Sequence, residues 1–120
     1  ALTGLLRKEV PELGFVSPSA KAAVIDIIPL SWNKGDGVRV LVDALGLAPG
    51  ELVAFGDSEN DLAMIEVVEN SVAVANASAA VAKRARWHIG PCDEGAVDGA
   101  LLDIAAAAVG GRMPAFMGGA

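Results

Sequence analysis

Cysteine and long apolar runs are almost absent from this sequence of 120 residues. Its one cysteine, Cys92, excludes an intrachain disulfide and a thiolate metal cluster, because both need more than one thiol. The longest uninterrupted apolar stretches, at 52–55 and 104–109, are far shorter than the roughly 20 residues that cross a bilayer. We therefore expect no membrane span.

Positive charge is also scarce, with 9 Lys and Arg against 15 Asp and Glu, a formal net charge of −6 and a pI near 4.6. This balance repels a phosphate backbone, and no basic stripe offsets it, so nucleic acid is not an expected partner. The first residues carry their charge after the apolar positions and lack a cleavage-like region, unlike a signal peptide. A cytoplasmic location is the default expectation.

The chain is instead rich in Ala, Val and Leu, with 53% hydrophobic residues and a mean hydropathy of +0.49. Its length allows one domain at most, and its composition indicates elements that are covered on both sides. The pattern predicts an opening helix, a strand at 22–28 that feeds a loop at 30–33, and a helix capped by Asn33 and ended by Gly46.

Three further pairs of a short strand and a helix follow. Strands are predicted at 52–55, 72–75 and 87–89, and helices at 58–68, 78–86 and 94–109. Apolar residues at successive positions of these strands favour parallel pairing with both faces covered. The sequence therefore predicts an α/β fold, a Rossmann-like three-layer sandwich with a mostly parallel sheet.

Polar residues cluster where the strand at 52–55 meets its helix, at the edge where parallel sheets bind ligands. The four side chains are Asp57, Glu59, Asn60 and Asp61. Carboxylates this close repel one another unless a cation neutralises them, and a hard oxygen-binding ion such as Mg²⁺ would do so. Helix chemistry is the alternative, since Ser58 with Asp61 matches a capping box and acidic residues suit a first turn.

Three other residues are candidates for chemistry. Lys34 lies in a first helical turn, which is unfavourable for a cation unless it addresses a bound phosphate; a solvated lysine is the alternative. His88 has no neighbouring nucleophile to activate, which favours a structural role. Asn76 supplies either a turn or a polar group at the site.

These motifs resemble a known family. The chain contains, in order, a Lys-Gly pair that opens one helix, a strand that ends in Gly-Asp-x-x-Asn-Asp, and the runs Val-Ala-Val-Ala-Asn-Ala and Asp-Glu-Gly-Ala-Val. In this order the motifs are similar to those of the Cof-type sugar-phosphatase branch of the haloacid dehalogenase superfamily. The similarity covers residues 24–106 approximately. Neighbouring branches with the same signature, such as trehalose-phosphate or sucrose-phosphate phosphatases and phosphomannomutase, stay open, and the substrate cannot be read from this chain.

The resemblance implies a phosphomonoesterase for small phosphorylated metabolites, in which an aspartate attacks phosphorus, an aspartyl-phosphate forms and water releases it with Mg²⁺ present. Lys34 is then the catalytic lysine that steadies the charge of nucleophile and phosphate, and Asp57 ligates Mg²⁺. Asn60 is implied near the phosphate, with Asn76 as a further phosphate-binding candidate. Asp61 is implied as the second acidic residue, which supports the metal shell through water or hydrogen bonds.

The family's nucleophile lies in an Asp-x-Asp run, and no such run occurs in this sequence. We interpret residues 1–21 as the end of a cap domain, 22–109 as the C-terminal half of an incomplete core, and 110–120 as a frayed or loosely docked tail. The chain is then a fragment, one of two complementary chains, or a product that has lost its nucleophile, and alone it is expected to be inactive.

Two expectations follow from the missing part. In the family the nucleophile strand pairs with the strand that corresponds to 52–55, so a free apolar edge there predicts self-association or capture of the absent segment. A non-catalytic module that binds metal, phosphate or a protein partner is the alternative function.

Overall fold

The computed structural model describes residues 2–17 and 23–118. Within these ranges the helices are α1 (Leu2–Glu9), α2 (Lys34–Leu45), α3 (Leu62–Val67), α4 (Ala79–Arg84) and α5 (Ala96–Gly110). The strands are β1 (Leu13–Val16), β2 (Asp26–Pro29), β3 (Val53–Gly56), β4 (Asn70–Ala73) and β5 (Trp87–His88). Short 3₁₀ turns lie at Pro49–Glu51, Glu59–Asp61, Cys92–Glu94 and Ala115–Met117. No helix in the described ranges is both long and apolar enough to cross a membrane.

A parallel sheet holds β3, β4 and β5 in that order. Val53 lies opposite Asn70 at the start of the first pairing, and Val72 lies opposite Trp87 in the second. Val72 and Ala73 in the central strand are 0% exposed, which explains why that strand has apolar residues on successive positions. The predicted α/β fold with a mostly parallel sheet is confirmed.

The hydrophobic core forms where helices α3 and α4 pack against the central strand. Ile65 of α3 and Val81 of α4 meet Ala73 of β4, and Ala85 closes the cluster at the end of α4. Helix α2 packs in turn on α3. The core therefore fixes α3, and through it α2, relative to the carboxyl edge of the sheet.

An antiparallel hairpin of β1 and β2 precedes the parallel sheet, with Leu13 opposite Pro29 and Val16 opposite Asp26. Phe15 is buried here, and its carbonyl accepts a hydrogen bond from Arg7 Nη2 of α1 at 3.0 Å. The sequence predicted the second strand, at 22–28, but not the first; Ala22 lies outside the described residues. β1 has only four residues and is defined by its pairing with β2, so its own sequence carries no local signal for a strand.

Helix α2 has the ends that the sequence predicts. The Asn33 side chain accepts a hydrogen bond from the Asp36 backbone at 3.0 Å, and the Asp36 carboxylate accepts one from the Asn33 backbone at 2.9 Å. At the other end Gly46 adopts a left-handed φ of 64°, a conformation that glycine reaches without steric cost. Local capping therefore defines the position of Lys34 in the first turn.

The last segment folds back on the domain rather than extending from it. Arg112 Nη2 donates to Asp103 Oδ1 of α5 at 3.0 Å, and the Ala115 backbone donates to Asp103 Oδ2 at 2.6 Å. Met117 is only 7% exposed. The 3₁₀ turn around Met117 lies against β5. We expected a frayed or loosely docked tail, and its described part up to 118 has these fixed contacts.

Candidate functional site

The candidate site begins where β3 ends, at Gly56 and Asp57. A Cβ atom at Gly56 would lie 3.0 Å from Asp61 Cβ and 3.1 Å from the Ile65 side chain, closer than ordinary contacts. Glycine therefore lets the strand end approach the start of α3 without displacing the Asp61 or Ile65 side chain. The following residue, Asp57, therefore leaves the sheet directly beside the turn that carries Asp61.

Asp61 is the centre of the site's hydrogen bonds. Its residue is 6% exposed, and Oδ2 accepts bonds from the backbone N–H groups of Asp57 at 3.0 Å and Ser58 at 3.3 Å. Its other oxygen, Oδ1, accepts a bond from Lys34 Nζ at 2.5 Å. The Asp61 carboxylate therefore joins the turn after β3 to the beginning of α2.

A second glycine makes the approach of α2 possible. A Cβ atom at Gly35 would lie 2.6 Å from the backbone oxygen of Ala63, a distance that real Cβ atoms essentially never show. Because Gly35 has no Cβ, the first turn of α2 lies against the start of α3. Lys34, next to this contact, is thereby brought within reach of Asp61, which lies 27 positions away in the sequence.

Burial raises the pKa of the Asp61 carboxyl, but hydrogen bonds outweigh it. The bond from Lys34, the bonds from the Asp57 and Ser58 backbone and the charge of Lys34 together hold the pKa of Asp61 below its ordinary value of 3.8. Asp61 is therefore ionised at neutral pH. Its partner is a lysine whose side chain is 50% exposed, so the ammonium group keeps a solvent-facing side.

Two cavities border the Lys34–Asp61 ion pair, one beside each partner. The smaller one, about 150 Å³, is lined by both Asp57 and Asp61. The larger one, about 450 Å³, is lined by Lys34, Glu59 and Asn60. The structure thus brings Lys34, Asp57, Asn60 and Asp61 together at the carboxyl edge of the sheet, as the sequence predicts.

Asn76 and His88 are used for internal contacts. The Asn76 side-chain oxygen accepts a bond from the Cys92 backbone at 3.0 Å, and its nitrogen lies 3.2 Å from Cys92 Sγ. Asn76 also lies in a turn closed by the Ala77 backbone, which donates to the Val74 carbonyl at 3.0 Å, as the turn alternative predicts. Its contact with phosphate stays a prediction. His88 Nε2 lies 2.7 Å from the Ala82 carbonyl, consistent with the structural role predicted for it.

The described residues contain no group of three or more His, Cys, Asp or Glu side chains arranged to hold a metal ion. The expectation of three converging carboxylates does not match this geometry, because Glu59 lines a different cavity from Asp57 and Lys34 neutralises Asp61. The donor chemistry nevertheless fits part of a Mg²⁺ site. Asp57 offers an exposed carboxylate, and Mg²⁺ in proteins commonly takes one or two carboxylates with waters and phosphate in its other positions.

Sequence reasoning missed the residues that the hairpin adds to the larger cavity. Asp26, Ile28 and Pro29 of β2 and Trp32 of the following loop all line it. The exposed tryptophan next to Lys34 is the signal that could have identified this wall, since a large aromatic side chain in a polar loop has no core to fill.

Comparisons with known proteins find relatives of this chain. A sequence model of the haloacid dehalogenase-like hydrolase family matches residues 4–101. A Halorubrum lacusprofundi protein named phosphoglycolate phosphatase is 40% identical over 72 residues, which are 60% of this chain and 32% of that protein. The chloroplastic endoribonuclease YBEY of Arabidopsis thaliana is 39% identical over 57 residues, 48% of this chain and 10% of that protein.

Among solved structures, a haloacid dehalogenase-like hydrolase from Bacteroides thetaiotaomicron superposes with a TM-score of 0.71 at 26% identity. The match covers 85% of this chain and 38% of that one. The chain therefore spans about a third of the length of the phosphatase and of the hydrolase that it matches.

Proposed function

The chain belongs to the haloacid dehalogenase-like hydrolase family, and on that premise we propose that it is part of a Mg²⁺-dependent phosphatase for small phosphorylated metabolites. The nucleophile of this phosphatase lies outside the 120 residues, since they contain no Asp-x-Asp run. The remaining part comes from an N-terminal segment or from a partner chain.

One observation carries the proposal: the Lys34 ammonium is held 2.5 Å from Asp61 at the same sheet edge as Asp57. Asp61 fixes the ammonium group, while half of the Lys34 side chain stays exposed to a ligand. The first turn of α2 adds backbone N–H groups and the positive end of a 12-residue helix. A phosphate beside Lys34 therefore meets two sources of positive charge.

In the proposed reaction, the carboxylate of the absent aspartate forms a bond to phosphorus, the bond from phosphorus to the alcohol oxygen breaks, and that oxygen takes a proton from the solvent as the alcohol leaves. Water then attacks the aspartyl-phosphate, and inorganic phosphate leaves with regeneration of the carboxylate. Lys34 stabilises the charge on the phosphate oxygens in both steps, and Asp61 acts as a positioning residue by orienting Lys34. Mg²⁺, held in part by Asp57, would supply further charge neutralisation when bound.

Activity restored by complementation tests the proposal. The purified chain is incubated with p-nitrophenyl phosphate and Mg²⁺, with and without an added N-terminal segment that carries the family's Asp-x-Asp run. We expect turnover only in the complemented mixture, because a covalent mechanism without its nucleophile loses many orders of magnitude in rate. Asp57→Asn should lower this turnover by roughly 100-fold or more.

Asp43→Asn is the matched control, since Asp43 is an exposed carboxylate on α2 away from Asp57; it should leave turnover unchanged. Turnover by the chain alone that survives Asp57→Asn would contradict the mechanism. No turnover in the complemented mixture would count against the phosphatase and for the second candidate function.

That second candidate is a non-catalytic module that binds metal, phosphate or a protein. The absence of an Asp-x-Asp run from these 120 residues favours it, because the covalent mechanism needs that nucleophile. An Asp-x-Asp-Gly-Thr run upstream in the same reading frame supports the phosphatase, and its absence there supports the module.

A further inference from the structure

The larger cavity lies between the β1–β2 hairpin and the first turns of α2 and α3, next to Lys34. Its volume of about 450 Å³ is within the range of small-molecule sites, roughly 300–1,000 Å³. If Lys34 binds the phosphate of a phosphomonoester, the alcohol part of that ester extends into this cavity. The residues around the cavity therefore carry information on the leaving group, and this inference rests on the proposed function.

One part of the cavity lining is apolar and includes a large aromatic ring. Ile28 and Pro29 of β2 and Trp32 of the loop contribute to it, together with Ala63 of α3. Trp32 is 51% exposed although its indole is the largest side chain of the loop. An exposed indole beside a cavity offers a flat surface on which a ring can stack, and burying that surface is favourable.

The charged part of the lining is acidic once the ion pairs are considered. Lys34 is already paired with Asp61. Asp26 and Glu59 also line the cavity, and both are exposed carboxylates for which the described residues supply no ion pair or hydrogen bond. Such carboxylates accept hydrogen bonds from O–H or N–H groups and repel a second anion.

From this combination we propose that the cavity selects phosphomonoesters whose leaving group is a flat, apolar ring with a hydrogen-bond donor. Trp32 stacks on the ring, and Asp26 or Glu59 accepts the donor. Leaving groups that carry their own carboxylate are disfavoured, because the cavity places two negative charges near them. Trp32, Asp26 and Glu59 are the specificity residues, distinct from the phosphate-binding Lys34.

Binding measured by NMR tests this selectivity without the missing nucleophile. The full 120-residue chain is titrated with three esters: 4-hydroxyphenyl phosphate, glucose 6-phosphate and 3-phosphoglycerate. We expect 4-hydroxyphenyl phosphate to bind about tenfold more tightly than the other two, since a stacked aromatic pair and one hydrogen bond are worth about that factor. The Trp32 indole signal should shift only with the aromatic ester.

Matched variants separate the contributions. Trp32→Ala should remove most of the tenfold preference while leaving the affinity for inorganic phosphate unchanged. Trp87→Phe, at the other tryptophan, should leave the preference among the three esters unchanged. Glu59→Gln with Asp26→Asn should strengthen binding of 3-phosphoglycerate several-fold, and Asp43→Asn should not.

Equal affinity for the three esters, or an equal effect of Trp32→Ala on all of them, would overturn the proposed selectivity while leaving the phosphatase proposal in place. A different result would refute both proposals. If neither the esters nor inorganic phosphate bind, and if the titration spectra of Lys34→Met equal those of the unchanged chain, Lys34 does not bind phosphate.

Discussion

Replacing Gly35 or Gly37 of α2 by alanine should change the free energy of unfolding in opposite directions. A Cβ atom at Gly35 would lie 2.6 Å from the Ala63 backbone oxygen, whereas ordinary van der Waals contact begins at about 3.4 Å. The neighbour is backbone and cannot rotate away, so α2 must move off α3. Overpacking of this kind costs about 1–3 kcal/mol in the free energy of unfolding.

Gly37 lies two positions further along the same helix, and a Cβ atom there meets no atom within 4 Å. Its replacement by alanine removes conformational freedom from the unfolded chain and should stabilise the protein by about 0.5–1 kcal/mol. For a domain of this size 1 kcal/mol corresponds to roughly 4 °C in Tm. Gly35→Ala should therefore lower Tm by roughly 4–12 °C and Gly37→Ala should raise it by roughly 2–4 °C.

Thermal unfolding followed by circular dichroism at pH 7 measures both changes. A second measurement, the NMR titration of the Asp61 carboxyl, links stability to the site: the pKa of Asp61 should rise in Gly35→Ala, because Lys34 moves away with α2. A Gly35→Ala variant as stable as Gly37→Ala, with the Asp61 titration unchanged, would refute the argument that the Gly35–Ala63 contact positions Lys34.

Two further predictions concern charge and the sheet edge. The pKa of Asp61 is below 3.8 in the folded chain, so its contribution to stability is present above that pH and is lost as the pH falls through the folded value. Lys34→Met should lower the free energy of unfolding by about 1 kcal/mol at pH 7, and urea unfolding should then show the acid loss at a higher pH. Lys83→Met, at an exposed position of α4, should do neither. No described strand covers the outer edge of β3, so sedimentation should show that the chain associates as its concentration rises. Leu52→Lys, beside that edge, should weaken this association, whereas Leu102→Lys on α5 should not. A monomer at all concentrations would contradict this prediction.

Elements with local signals could be predicted from the sequence. The caps of α2 were correct because Asn33, Asp36 and Gly46 act on their own helix. β4 begins at Asn70 rather than at the predicted 72, because its register is set by pairing with β3 and not by its own apolar run. β1 was missed for the same reason, since a strand of four residues is defined by its partner.

The candidate site shows the same division. The motif around Asp57 identified the edge of the sheet, and the structure brings the predicted Lys34, Asn60 and Asp61 to it. The direct bond between Lys34 and Asp61 could not be derived from sequence, because it depends on how α2 packs on α3. Whether Asp61 also supports a metal shell stays a prediction.

The contacts that organise this site all lie within one continuous stretch, from Asn33 to Ile65. The capping of α2, the Gly35–Ala63 contact and the bond from Lys34 to Asp61 need no residue from the hairpin or from α5. The hairpin can therefore vary in sequence without disturbing these contacts. A descendant could exchange the hairpin, and with it the wall formed by Ile28 and Pro29, while the Lys34–Asp61 ion pair stays in place.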